Sequence, residues 1–155
     1  VLTGAKSWQW WTAMTQVDYK DGLVYLDDGS EGETGQMGAN VPGLQYDGAV
    51  RESKLLWVLG NYSRFIRPGM ERISCELVEE QSPGNGILVS AYKEPGSSAL
   101  VYVFVNQSND EVIVDMGTGN DVRTYITDKD RNLELAVQSP AKLTLPSRSV
   151  LTVLF

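Results

Sequence analysis

Residues 52–69 read ESKLLWVLGNYSRFIRPG, and the fold turns on them. Leu55, Leu56, Leu59, Tyr62 and Ile66 recur at the spacing of one helical face, and Trp57 and Phe65 broaden that stripe, so the stretch predicts a helix over 52–66. Pro68-Gly69 closes it, because proline cannot continue a helix and glycine supplies the turn. Gly60 sits in mid-helix, where glycine costs roughly 1 kcal/mol relative to alanine. Its presence there predicts a close neighbour that leaves no room for a side chain. Trp57, Tyr62 and Phe65 read as core, and Arg64, Arg67 and Arg72 as ion-pairing residues around it.

Beyond Gly69 the periodicity changes to two. Strands are predicted over Arg72 to Val78, Ile87 to Tyr92, Leu100 to Val105, Glu111 to Met116, Val122 to Thr127, Leu133 to Val137, Ala141 to Leu145 and Val150 to Leu154. Turn-forming clusters separate them, among them Ser82-Pro83-Gly84-Asn85-Gly86, Pro95-Gly96-Ser97-Ser98 and Asp128-Lys129-Asp130. Many short strands at even spacing indicate an antiparallel sandwich or barrel. Ahead of the helix, Ser7-Trp8-Gln9-Trp10-Trp11-Thr12-Ala13-Met14 predicts a short strand. Its bulky residues fall on both faces, the habit of a strand buried in a parallel sheet or barrel. Val17 to Ala49 reads as loop, holding the apolar piece Gly22 to Leu26. The expected architecture is therefore mainly β: an antiparallel β-sandwich preceded by one strand–loop–helix unit. Such a unit cannot bury both its faces alone, which points to further structure upstream.

The chain has 155 residues, 42% hydrophobic and 21% charged, with a net charge of −7. That balance excludes the basic stripe of a nucleic-acid binder. No apolar run approaches the ~20 residues of a membrane span. No signal peptide is read at Val1, which resembles the interior of a longer sequence. Cys75 is the single cysteine, so no internal disulfide forms, and no histidine is present. A Ser–His–Asp triad, a Cys–His nucleophile and imidazole metal sites are all excluded, leaving carboxylates as the acid–base groups. Cys75 itself reads as a small buried hydrophobe.

The run Leu59-Gly60-Asn61-Tyr62-Ser63-Arg64-Phe65-Ile66-Arg67-Pro68-Gly69-Met70-Glu71-Arg72-Ile73 resembles the segment that joins the last barrel helix to the β-sandwich in glycoside hydrolase family 30. That family includes glucosylceramidases, xylanases and β-1,6-glycanases. Ile87 to Lys93 followed by Leu100 to Asn106 resembles its paired strands, and Leu145 to Val150 its terminal strand. Trp8-Gln9-Trp10-Trp11 resembles the aromatic eighth barrel strand, and Tyr19 to Tyr25 the loop after it, in the galactanase-like branch. The resemblance implies that 1–69 is the last βα unit of a (β/α)8 catalytic domain and 70–155 a C-terminal β-sandwich. It also implies a secreted or periplasmic retaining hydrolase of β-linked sugars. The family's general acid/base and nucleophile glutamates would both precede Val1, so no catalytic residue is assigned here, and no cofactor.

Retaining glycosidases hold two carboxyl groups about 5–5.5 Å apart. Glu79-Glu80 offer no substitute, since neighbours on a strand point to opposite faces. Asp27, Asp28, Glu31 and Glu33 lie in a glycine-rich loop and read as solvated charge. Calcium is the alternative, but the spacing is not that of an EF-hand, and no metal ligand is assigned. The candidate substrate-binding residues are Trp8, Trp10 and Trp11, whose flat rings can bury the C–H faces of a sugar, with Tyr19 and Lys20 in the following loop. The competing readings are core tryptophans and a hydrated loop. The expected partners are a carbohydrate substrate and the rest of the barrel. A non-catalytic carbohydrate-binding or structural sandwich is the alternative, for which the strands offer Tyr92, Tyr102, Phe104 and Tyr125. Asn61-Tyr62-Ser63 and Asn106-Gln107-Ser108 match the N-glycosylation pattern, a match common by chance.

Overall fold

A computed structural model describes residues 7–16, 22–27, 49–78 and 86–155. Tyr19, Lys20, Asp21, Asp28, Glu31, Glu33, Glu79, Glu80 and the turn 82–85 lie outside the described residues. Contacts group the chain into two compact units, one ending at Leu56 and the other running from Trp57 to Phe155.

In the first unit, β1 (Met14–Gln16) pairs in parallel with β2 (Val24–Asp27), and β2 pairs antiparallel with β3 (Ala49–Glu52). The expected strand over Ser7 to Met14 is corrected: it begins only at Met14, and residues 7–13 take no strand conformation. The reason is non-local. A strand exists only where a neighbour accepts its hydrogen bonds, and the pairing to β2 starts at Leu23 N→Thr12 O (3.2 Å) and Val24 N→Ala13 O (2.9 Å). The stretch read as loop over Val17 to Ala49 is corrected likewise, since it contains β2 and the first residue of β3.

Helix α1 spans Lys54–Ser63. Ser53 caps it: its hydroxyl accepts from Leu56 N at 3.2 Å, satisfying one of the donors that a helix start leaves free. At the other end Ile66 N reaches Tyr62 O at 2.9 Å, and Gly69 turns the chain at φ +95°. That conformation suits glycine.

The second unit continues with β4 (Glu71–Ile73), β5 (Ile87–Lys93), β6 (Leu100–Asn106), β7 (Val112–Val114), β8 (Val122–Thr127), β9 (Glu134–Gln138), β10 (Leu143–Leu145) and β11 (Ser149–Leu154). A six-stranded antiparallel sheet runs in the order β4-β5-β6-β11-β8-β9, and β10 and β7 form a two-stranded sheet. The order follows apolarity. β11 (SVLTVL) and β6 (LVYVFVN) are buried on both faces and hold the centre, while β4 and β9 carry exposed residues and take the edges. The fold is mainly β with one helix, the antiparallel sandwich expected. The predicted strand over 72–78 shortens to β4, and 141–142 belong to a 3-10 turn at Pro140–Lys142 ahead of β10.

Alternation sorts the central strands between two cores. Phe104, Leu151 and Val153 point with Leu143 and Leu145 into the core under the two-stranded sheet. Val101, Val103 and Val150 point to the opposite face, where Val58, Tyr62, Phe65 and Ile66 pack on them. Tyr62 and Phe65 thus serve as core, as expected. The expected ion pairing of the arginines takes another form. Arg64 stacks over Phe65 and Tyr125, 5.5 and 5.4 Å from their ring centres, and Arg67 donates to the Ser63 carbonyl at 2.8 Å.

One polar side chain crosses this apolar face. Asn61 is 0% exposed. Its Nδ2 donates to Thr127 Oγ1 (2.7 Å) and to Trp57 O (3.1 Å). Thr152 Oγ1 lies 2.8 Å from Asn61 O and 3.0 Å from Oδ1, its proton shared between them. Thr127 Oγ1 also accepts from Leu133 N at 3.1 Å. Beside it, a Cβ on Gly60 would stand 2.7 Å from Leu133 Cδ1, the close neighbour that the glycine predicted.

The β8–β9 turn is held by Asp128. One of its oxygens accepts from Asp130 N (3.0 Å) and Arg131 N (2.8 Å), and the other receives the Arg131 guanidinium. Burial of the carboxylate works against ionisation, but these hydrogen bonds and the guanidinium charge outweigh it and hold the pKa below the usual carboxylate value.

Asn61→Ala is expected to cost about 1–3 kcal/mol in urea unfolding, because it takes one hydrogen-bond partner from each of two buried hydroxyls and opens a small cavity. A loss below about 0.5 kcal/mol, the range of ordinary surface changes, would refute this role. Asp128 carries a pH signature. With its folded pKa depressed, the folded chain holds the proton less readily than the unfolded one, so its contribution is present at neutral pH and fades as pH falls through the folded value. The stability gap between the native chain and Asp128→Asn should therefore be largest near neutrality and shrink in acid. A gap independent of pH would contradict it.

Candidate functional site

Trp8, Trp10 and Trp11 are 60%, 38% and 83% exposed. They precede β1, whose attachment to β2 fixes the chain from Thr12 onward. The expectation that this segment is buried on both faces is thereby corrected, since its indoles are open to solvent. Trp8 and Trp10 pack against one another, with ring centres 5.6 Å apart and planes tilted by 38°. The Trp11–Thr12 peptide is cis. Tilted aromatic pairs within 4.5–7 Å are favourable contacts. Such a pair also presents two apolar facets at an angle, a shape suited to the C–H faces of a sugar. Gln9, Ser7 and half-buried Thr12 supply polar groups beside them.

The strand below is tightly built. Gly22 is buried, and a Cβ there would lie 2.5 Å from Thr15 Oγ1 and 2.8 Å from Tyr25 Cε1. Tyr25 is half-buried and sits opposite Thr15 on β1 and Arg51 on β3. Of the candidates named from the sequence, Trp8 and Trp10 are in ring contact and Trp11 is exposed beside them in sequence; Tyr19 and Lys20 fall outside the described residues.

The aromatic residues of the sandwich are otherwise engaged. Phe104 is buried, and Tyr92 packs toward the helix. Tyr102 lies between Phe104 (6.5 Å, stacked) and Phe155 (5.6 Å, edge-on). The guanidinium of Arg64 occupies the faces of Phe65 and Tyr125. Tyr92, Tyr102 and Tyr125 are half-buried and Phe155 is exposed. Cys75 is half-buried, and burial pushes its thiol pKa up against the opposing pull of Arg72, which disfavours the reactive thiolate. Among the described residues no group of three or more Cys, Asp or Glu could hold a metal ion, and no helix is long and apolar enough to cross a membrane.

No family model matches the chain. Among solved structures it is similar to a conserved exported protein from Bacteroides fragilis, at 32% identity and a TM-score of 0.76 over 96% of this chain. It is also similar to a family 30 endoxylanase from Clostridium papyrosolvens C71, at 28% identity and a TM-score of 0.51 over 66% of this chain. A third likeness is to Xyn30A, a glycoside hydrolase family 30 subfamily 8 xylanase from Clostridium acetobutylicum, at 25% identity and a TM-score of 0.52 over 67%. The chain spans 29% of the Bacteroides protein and 28% of each xylanase. A structural relation to glycoside hydrolases of family 30 is thus present over about two thirds of the chain.

Gly22→Ala is expected to loosen the β1–β2 pairing that carries the indoles. Amide hydrogen exchange at Leu23 and Val24 should accelerate, while exchange in β6 and β11 stays slow. Unchanged protection at both amides would show that the site tolerates the added methyl.

Proposed function

We propose that this chain is the C-terminal part of an exported glycoside hydrolase of the family 30 kind, a retaining enzyme acting on β-linked poly- or oligosaccharides. On this reading residues 1–69 form the last βα unit of its catalytic barrel and 70–155 a bracing β-sandwich. The observation that carries the reading is the exposed indole group of Trp8, Trp10 and Trp11, in a chain whose fold is similar to parts of two family 30 xylanases. The likeness to an exported protein supports export.

The roles follow from chemistry. The indoles form an apolar wall that buries one face of a sugar ring, leaving its hydroxyls to polar neighbours. In a (β/α)8 barrel, groups at the C-terminal ends of the strands line the active site. Tyr19 and Lys20 follow β1 in sequence and are assigned to substrate contact on the same ground. The two carboxyl groups that break the glycosidic bond belong to the preceding part of the protein: one protonates the leaving oxygen while the other attacks the anomeric carbon. This chain contributes binding and orientation.

Trp8→Ala, Trp10→Ala and Trp11→Ala, each made in the protein as its host produces it, test the assignment. At least one should lower kcat/KM on its β-linked substrate by about tenfold or more, equivalent to roughly 1.4 kcal/mol of lost transition-state binding. Circular dichroism should remain that of the native protein. Unchanged kinetics in all three would remove the indoles from the site.

A further inference from the structure

The two N-x-S sequences remain unused by this function, and the structure gives both asparagines another task. Asn61 is 0% exposed and Asn106 2%. Asn61 Nδ2 donates to Trp57 O and Thr127 Oγ1 under the helix. Asn106 ends β6, where its Nδ2 lies within hydrogen-bonding distance of Asp110 O (2.9 Å), Leu145 O (3.1 Å) and Pro146 O (2.8 Å). Its Oδ1 accepts from Ser108 N (2.9 Å) and Ser108 Oγ (2.8 Å). The serine that completes the second pattern is therefore itself part of the buried network.

In N-glycosylation a transferase moves a sugar from a lipid-linked pyrophosphate donor: the C1–O bond to the pyrophosphate breaks, the lipid pyrophosphate leaves, and C1 bonds to the asparagine Nδ2, which gives up one of its two protons and gains a bulky hydrophilic group. At these positions it would remove a donor from a network that uses both protons and would place a sugar where no solvent reaches. We propose that N-glycosylation at Asn61 or Asn106 and folding of this chain exclude each other. The folded chain presents neither Nδ2 to a transferase, and a glycan attached before folding blocks the close of the helix onto the sheet, or of the β6–β7 loop onto the β10–β11 turn.

Expression of the chain through a eukaryotic secretory pathway tests this, with peptide mass spectrometry on the secreted, protease-resistant pool and on the retained, protease-sensitive pool. Glycan at Asn61 or Asn106 is expected only in the retained pool. Ser63→Ala destroys the first pattern at an exposed position while keeping Asn61. It should abolish glycan at Asn61 and move that share of the chain into the secreted pool. Glycosylated chain isolated from the retained pool and diluted from urea should fail to recover protease resistance, whereas unmodified chain recovers it. A secreted, protease-resistant chain carrying a glycan at either asparagine overturns the proposal, as does refolding of the glycosylated form.

Discussion

The amide of Asn61 fixes the second unit's architecture. A helix packed on an apolar sheet face by valines, tyrosine and phenylalanine alone could slide or rotate, because apolar contact is non-directional. Asn61 removes that freedom by requiring two particular hydroxyls, Thr127 on β8 and Thr152 on β11, and it closes on its own helix through Trp57 O. Burying an amide is costly unless its hydrogen bonds are made, so alternative placements of the helix are penalised. Gly60 lets Leu133 approach the same turn, and Thr127 in turn holds Leu133 N. Helix, central strand and the β8–β9 turn are thereby set by one small group of atoms.

The sandwich was legible in the sequence because its signals are local. Alternation marked β5, β6, β8 and β11 nearly to the residue, and Gly60 announced a close contact before any neighbour was known. What escaped depends on partners distant in sequence. β2 and β3 are short, and nothing in Val24–Asp27 alone shows that Ala49–Glu52 will pair with it. The stretch from Ser7 to Met14 has strand composition, but pairing to β2 begins only at Thr12, so the indoles ahead of it are exposed. Asn61 and Asn106 matched a modification pattern, and their buried bonds became visible only when β8, β11 and the β10–β11 turn were in place. The helical period offered one clue for Asn61, which lies within a turn of the apolar stripe.

Function divides along similar lines. Three tryptophans within four residues stand out in the sequence as candidate sugar contacts, and all three are exposed. Among the sandwich aromatics, Phe104 is buried, Tyr102 contacts Phe104 and Phe155, and Arg64 lies over Phe65 and Tyr125.

Anomeric configuration tests the proposed function most directly. Proton NMR would follow hydrolysis of β-1,4-xylan, β-1,6-galactan and β-1,6-glucan by the protein as its host produces it. A retaining enzyme releases the β-anomer first on at least one of these, with the α-anomer growing in later by mutarotation. First appearance of the α-anomer on any of them would contradict the account.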